Sequence, residues 1–471
     1  MRRSLLSRGF AMRQVDLLLA SLWCVDAALL QRVGEYTGVA VGLLTASAIF
    51  GFLAVRARPE PTNRLVWAIA AGAIALTLQY YSTLYQDDGF NTLAFVASSA
   101  VFLALLVQRR SLTAVLLGVG GLAMGWAVVL RWRWGTNDID VWTGVQVSAS
   151  AVLHGHNPYG PTFPALYPHG LGFVTRQIHF DYGPIIPVLA APARLLGDIR
   201  IASVVLFLAL FAAVVAMARR RSDSDWATPR LLALCIASPL TVAMVDKAWV
   251  DIYSAAGFAG WVALRHRHRR LAVLCLAAGI ASKPIFLPAM LPLLLWSRRA
   301  RWESFWALVA AVVFILPFAI ATGPSAFYHD VIGYLADFPF RPDSLSLNTS
   351  LFWSGRNSLP AWLGVSVVAV LGVWVASVRP RSYGDALAAG ATLMTVSFLL
   401  ARQAFFNYYF VSAAILLLAI AGRGVAIGEP EDVHLPFALD QRVVAWWRAR
   451  GAPPAAQPAE AAVPALTGAR D

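Results

Sequence analysis

Apolar residues run along this chain in long blocks, not in the alternation of a strand or the three-to-four spacing of a surface helix. Most blocks hold 16–20 residues, close to what a helix needs to cross ~30 Å of hydrocarbon. Taken in order they predict membrane spans near 15–31, 38–55, 65–83, 91–108, 112–130, 199–218, 230–246, 249–264, 270–282, 284–297, 303–322, 360–378, 384–401 and 405–422. The stretch 270–297 also reads as one broken pair at Pro284. Two long polar segments interrupt the blocks, 131–198 and 323–359, and the first holds apolar stretches near 141–153 and 186–197 that predict helices lying along the membrane surface. The pattern as a whole predicts an all-α polytopic membrane protein, a bundle of about 12–14 spanning helices with two long loops. Residues 1–110 read as an N-terminal four-span extension, 111–422 as the working membrane core and 423–471 as a partly disordered tail rich in Ala and Pro.

Composition agrees, with 59% of residues hydrophobic, 13% charged and a mean hydropathy of +0.64. A soluble domain carries about 25% charged residues. The net charge of +13 would suit nucleic acid, but the basic residues stand in short clusters between apolar blocks: Arg109–Arg110, Arg219 to Arg221, Arg265 to Arg270 and Arg298 to Arg301. With the N-terminus inside and the spans alternating, 27 of the 38 Lys and Arg residues fall on the inner side. That bias places both termini in the cytoplasm of an inner, or plasma, membrane, and both long loops on the outer face. The arginines before Val15–Leu30 read as a retained signal anchor, since no small-x-small site follows and Trp23 precedes Cys24. Cys24, Cys235 and Cys275 all lie in apolar blocks and imply neither a disulfide framework nor a metal site.

The outward loops and links carry the candidate chemistry. The first loop opens on Trp134-Gly135-Thr136-Asn137-Asp138-Ile139-Asp140-Val141-Trp142. Asp138 or Asn137 would cap the following helix; equally, Asp138 and Asp140 are paired carboxylates whose mutual repulsion and partial desolvation suit a general base. His154-Gly155-His156-Asn157-Pro158-Tyr159 reads as a helix end and a turn, and its two histidines lack further ligands at metal-binding spacing. In His179-Phe180-Asp181-Tyr182-Gly183-Pro184, a carboxylate stands between aromatic rings, as in many sugar sites and also in interfacial aromatic belts. Lys247 and Lys283 are the only lysines beside 36 arginines, and both fall at predicted outer ends of spans, where a cation needs a reason. Lys283 would hold a phosphate as a point charge or snorkel beside Pro284, while Lys247 has Asp246 or Asp251 as partners. The second loop supplies Arg341 and Asn348-Thr349-Ser350, a chance glycosylation triplet, and the last outer link supplies Arg402 and Asn407-Tyr408-Tyr409.

These motifs, in this order, resemble the GT-C class of membrane glycosyltransferases, and within it the polyprenyl-phosphate-mannose-dependent mannosyltransferases of glycosyltransferase family 87. The family's Asp-Leu-x-Val-Tyr is similar to Asp138-Ile139-Asp140-Val141-Trp142, its Gly-x-x-Pro-Tyr to Gly155-His156-Asn157-Pro158-Tyr159, and its Phe-x-Tyr-Pro-Pro to Phe180-Asp181-Tyr182-Gly183-Pro184, with Gly for Pro. A Lys-Pro and an Asn-x-Ser match at Lys283-Pro284 and Asn348-Thr349-Ser350. The likeness covers roughly 112–422 and leaves the first four spans without a counterpart. It implies a polyprenyl-phosphate sugar donor, a lipid or glycan acceptor, inversion at the anomeric carbon and no cofactor or required metal. Asp138 would be the general base, with Asp140 beside it. Lys283, Arg341 and Arg402 would face the phosphate, while His156, Tyr159, Asp181, Tyr182, Lys247, Asn348 and Asn407 would line the substrates. One departure stands out: where the family has a histidine before the final span, this chain has Asn407-Tyr408-Tyr409, which leaves the sugar and the acceptor geometry open. The competing readings are a transporter or flippase, for which the break at Pro284 speaks, and a non-catalytic assembly subunit.

Overall fold

The computed structural model describes residues 13–29, 36–57, 64–83, 88–107, 109–134, 139–169, 172–333, 339–377 and 380–425. Each apolar block predicted to span is helical. The first five helices are α1 (Gln14–Leu29), α2 (Gly38–Arg56), α3 (Arg64–Thr83), α4 (Asp88–Leu106) and α5 (Arg110–Trp134). After the first loop come α8 (Arg200–Ala218), α9 (Ser224–Ala237), α10 (Pro239–Asp246), α11 (Asp251–Leu264), α12 (Arg269–Ser282), α13 (Leu287–Trp296) and α14 (Arg298–Thr322). The chain closes with α17 (Ala361–Ser377), α18 (Tyr383–Leu400) and α19 (Phe406–Ala421). Among the described residues, six helices are long and apolar enough to cross a membrane alone, and α9 with α10 makes a seventh span if that bent pair counts as one. The remaining apolar helices are shorter, so the protein is an all-α polytopic membrane protein with one bent helix pair among its candidate spans, counted among the described residues. The predicted break in 270–297 falls at residues 283–286, between α12 and α13. A second break, at Ser238–Pro239, bends α9 against α10 by 45°, where the apolar block reads as continuous.

The first loop forms α6 (Asp140–Leu153), a hairpin of β1 (Phe163–His169) and β2 (Gly172–Ile178), and α7 (Ile185–Leu195). Both surface helices were expected; the antiparallel hairpin was not, because its residues lack clean alternation. The second loop forms α15 (Pro324–Tyr328), a π-helical turn over His329–Gly333, and α16 (Leu347–Trp353).

Local chemistry starts these helices. Thr37 and Ser297 accept the free N–H groups of Ala40 and Ala300 at 3.0 and 3.1 Å, and Ser382 forms a reciprocal capping box with Asp385. Asp198 accepts the Arg200 amide at 2.8 Å and its guanidinium at 2.7 Å, and it receives the Trp142 indole at 3.3 Å, which ties α6 to the start of α8. The core runs through the whole bundle: α1 packs on α19, α2 on α18, and α3 to α5 against α9. Where α11 meets α12, a Cβ on Gly257 would strike the Cys275 carbonyl, so this crossing depends on the missing side chain. By contrast α14 and α17 present Val312, Val313, Ile320, Val365 and Val373 outward, as lipid-facing helices do.

Candidate active site

Lys283 ends α12, where Pro284 denies the helix its next N–H. Its backbone turns extended, and its carbonyl accepts the Ser254 hydroxyl of α11 at 2.6 Å. The side chain is 8% exposed, which only a partner makes tolerable. That partner is Asp251, the first residue of α11, whose Oδ1 lies 3.0 Å from Lys283 Nζ. The Asn407 amide of α19 donates to the other oxygen of Asp251. Two rings close over the ammonium, Tyr408 with its centroid at 4.1 Å and Tyr182 at 5.4 Å.

Tyr182 reaches that position because the segment before α7 lies directly against the end of α12. The Gly183 N–H donates to the Ser282 carbonyl at 2.9 Å, and a Cβ at Gly183 would collide with the Ala281 carbonyl. This accounts for the Gly that replaces a Pro of the family pattern: a proline at 183 has no N–H to give and a ring with no room. Tyr159 braces the same segment, its hydroxyl donating to the Tyr182 carbonyl at 2.7 Å and its ring meeting Phe180 and Phe327. Asn157 holds the turn beneath it by accepting the Tyr159 N–H at 3.2 Å and donating to Thr322 at 2.9 Å.

Asp181 stands next to Tyr182 and within the field of Asp140 at the start of α6. Burial, then the Asp140 carboxylate, push the Asp181 carboxyl up to about 7, against the pull of its own backbone N–H and of Lys283. Asp140 is also raised by burial, while the Val141 N–H and Arg341 favour its charged form. Asp330, on the π-helical turn, is a third carboxylate in the same field. Arg341 pairs with Asp343 and covers the Phe405 ring at 4.6 Å, and Phe405 in turn meets Tyr408 at 5.7 Å. The second loop is anchored to the start of α19, with Leu345 N–H donating to the Ala404 carbonyl at 2.6 Å and the Tyr409 hydroxyl to the Leu345 carbonyl at 2.7 Å.

The fold therefore gathers Asp140, Tyr159, Asp181, Tyr182, Lys283, Arg341 and Asn407 from six separate segments. Other candidates lie differently. Asp138 falls outside the described residues, two positions before Asp140. His156 is exposed in an outer cleft shared with Gln146, His154 and Arg194. Lys247 lies 3.7 Å from Asp246, not beside Asp251. Asn348 is buried and spends its amide on the Ala401 carbonyl at 2.9 Å and the Leu359 N–H at 2.7 Å, so it staples the loop to α18. Arg402 is exposed after α18. Sequence reasoning passed over Asp251 as a partner for Lys283, and Asp330 altogether. A buried Asp opening an apolar helix was the available signal for Asp251. Among the described residues no three His, Cys, Asp or Glu side chains gather as a metal would require.

Two carboxylates near a shielded cation, framed by tyrosines at the ends of membrane helices, suit group transfer between hydroxylated, phosphate-bearing substrates. The architecture is that of an all-α polytopic membrane protein. Residues 180–405 match the family model of glycosyltransferase family 87, so the likeness read from the motifs is met over this stretch and the chain is similar to GT-C-type membrane glycosyltransferases. No curated protein and no solved structure matches the chain.

Proposed function

We propose that this protein transfers a sugar, mannose or another hexose or pentose, from a polyprenyl-phosphate donor to a lipid or glycan acceptor at the extracytoplasmic face of the inner membrane, with inversion. The observation that carries the reading is the gathering of Asp140, Asp181, Lys283 and Asn407 from distant segments, two of them the motif residues of the matched stretch. In this scheme Asp138, two residues before Asp140, removes the proton from the acceptor hydroxyl, which attacks the anomeric carbon as the bond to the lipid phosphate breaks. Asp140 and Asp181 accept hydroxyl donors of the sugars. Lys283, with Arg341 nearby, offsets the charge that develops on the departing phosphate, the largest electrostatic contribution in a site of low dielectric. Asp251 takes one of three ammonium donors and leaves the rest for substrate. Arg402, Lys247, His156 and Asn348 are then peripheral or supporting residues.

The test is transfer from radiolabelled polyprenyl-phosphate sugars in membranes with and without the protein. Incorporation that depends on the protein, and is lost in Asp138→Asn, is the expected result; full transfer by Asp138→Asn removes that residue from the base role. The bend between α9 and α10 favours a second reading, a transporter or flippase for a lipid-linked or small solute. Movement of such a solute across liposomes without sugar transfer would support it.

A further inference from the structure

A second buried carboxylate lies apart from the site above. Asp26, three residues before the end of α1, is fully buried; the Ser238 hydroxyl interacts with its carboxylate, and no other described side chain donates to it. It lines a cavity enclosed by α1, α8, α9, α10 and α19, with room for about one water-sized occupant (about 10 Å³). No basic side chain and no second carboxylate lines this cavity, and its wall is apolar apart from Asp26, Cys235, Ser238 and Thr241. A carboxylate so placed has to be neutralised, by a proton or by a cation.

The opposite wall is the break between α9 and α10. Pro239 has no N–H, so the Cys235 carbonyl loses the donor that a continuous helix would give it. The chain bends by 45° there, and the Ser238 and Thr241 hydroxyls line the same cavity. One carboxylate and two hydroxyls beside a helix break form a set of hard oxygen donors. A divalent ion would leave uncompensated positive charge in an apolar wall, whereas a monovalent ion balances Asp26 alone. Broken membrane helices present such donors to small cations.

From this cavity we infer that the protein binds one dehydrated monovalent cation of sodium's size between Asp26 and the Ser238–Thr241 break. The ion pins α9 to α10 at their bend. From Ser238 to Asp246 is eight residues, roughly 12 Å along a helix, and the next turn delivers Asp251. The ion thus steadies the element that carries the partner of Lys283. The inference stands independently of what the enzyme transfers.

The experiment is thermal unfolding of the detergent-purified full chain in sodium, potassium and choline chloride at equal ionic strength. The wild type is expected to melt several degrees higher in sodium than in choline, with saturation, and Asp26→Asn to lose that increment. Ser238→Ala is expected to need roughly tenfold more sodium for half the effect. A wild type with the same midpoint in all three salts overturns the inference and leaves Asp26 as a neutral acid. A sodium increment that persists in Asp26→Asn overturns it too. If Asp26→Asn does not fold, the Ser238→Ala titration decides, and an unchanged half-saturation overturns the assignment.

Discussion

Lys283 and Asp251 form a buried pair in which each supplies what burial removes from the other. Removing one partner of such a pair leaves an uncompensated buried charge, so Asp251→Ala should cost about 3–5 kcal/mol in an unfolding measurement. The double variant Asp251→Leu/Lys283→Met should recover a good part of that loss, since an apolar pair of similar size has no charge to desolvate; failure to recover would mean that Asp251 acts through packing alone. Asp181 is the titrating residue of the site. With its carboxyl raised to about 7 by burial and by Asp140, it gains its proton as pH falls through neutrality and then accepts fewer hydroxyl donors. Transfer should therefore decline as pH falls below about 7, and Asp181→Asn should flatten that limb of the pH–rate profile. Stability moves the other way. A carboxyl raised above its ordinary 3.8 favours the folded state at low pH and loses that contribution as pH rises to about 7, so the same variant should show a shallower fall in stability over that window.

Helix ends and the short links between them decide which residues meet. The segment from Phe180 to Pro184 rests on the end of α12 through a glycine that admits no side chain. Gly183→Ala should cost about 1–3 kcal/mol through overpacking and should lower transfer further by lifting Tyr182 from Lys283. Gly118→Ala in α5, where a Cβ meets open space, is the control and should leave transfer unchanged and stability equal or slightly higher. Equal effects of the two would show that the close approach at Gly183 is not what positions Tyr182. The arginine clusters also act as structural parts. Arg265 and Arg299 bond Glu303 at 3.0 and 2.9 Å, and the Trp261 indole completes the set at 2.9 Å, so residues that read as topology signals also lock α11 and α14 together.

For the molecule as a whole, the orientation expected from charge is open to direct measurement. Single cysteines placed in the first and second long loops should react with a membrane-impermeant thiol reagent added outside intact cells, and a cysteine beside Arg298 only after permeabilisation. The native Cys24 and Cys235 are buried and Cys275 is half-buried, so the single cysteines belong in a Cys275→Ser background. The reverse labelling pattern would put the site on the cytoplasmic face. The bundle is also more continuous than a division at residue 110 suggests, because α1 and α2 pack directly on α19 and α18.

The sequence by itself determined the class of protein. Long apolar blocks with little charge have few stable solutions besides helices in a bilayer, and this is a property of composition and block length alone. It also determined the order of the motifs, and with it the likeness to glycosyltransferase family 87 that the match over 180–405 meets. The tertiary structure decided the partners. Lys283 lies 32 positions from Asp251 and 124 from Asn407, and no local pattern encodes which helix ends meet. It decided that Asn348 staples a loop while Asp251 joins the site, because burial and hydrogen bonding assign a polar residue's role only after the helices have packed. The bend at Ser238–Pro239, and the cavity it opens beside Asp26, belong to the same category: the proline is visible in the chain, but what faces the carbonyl it frees is not.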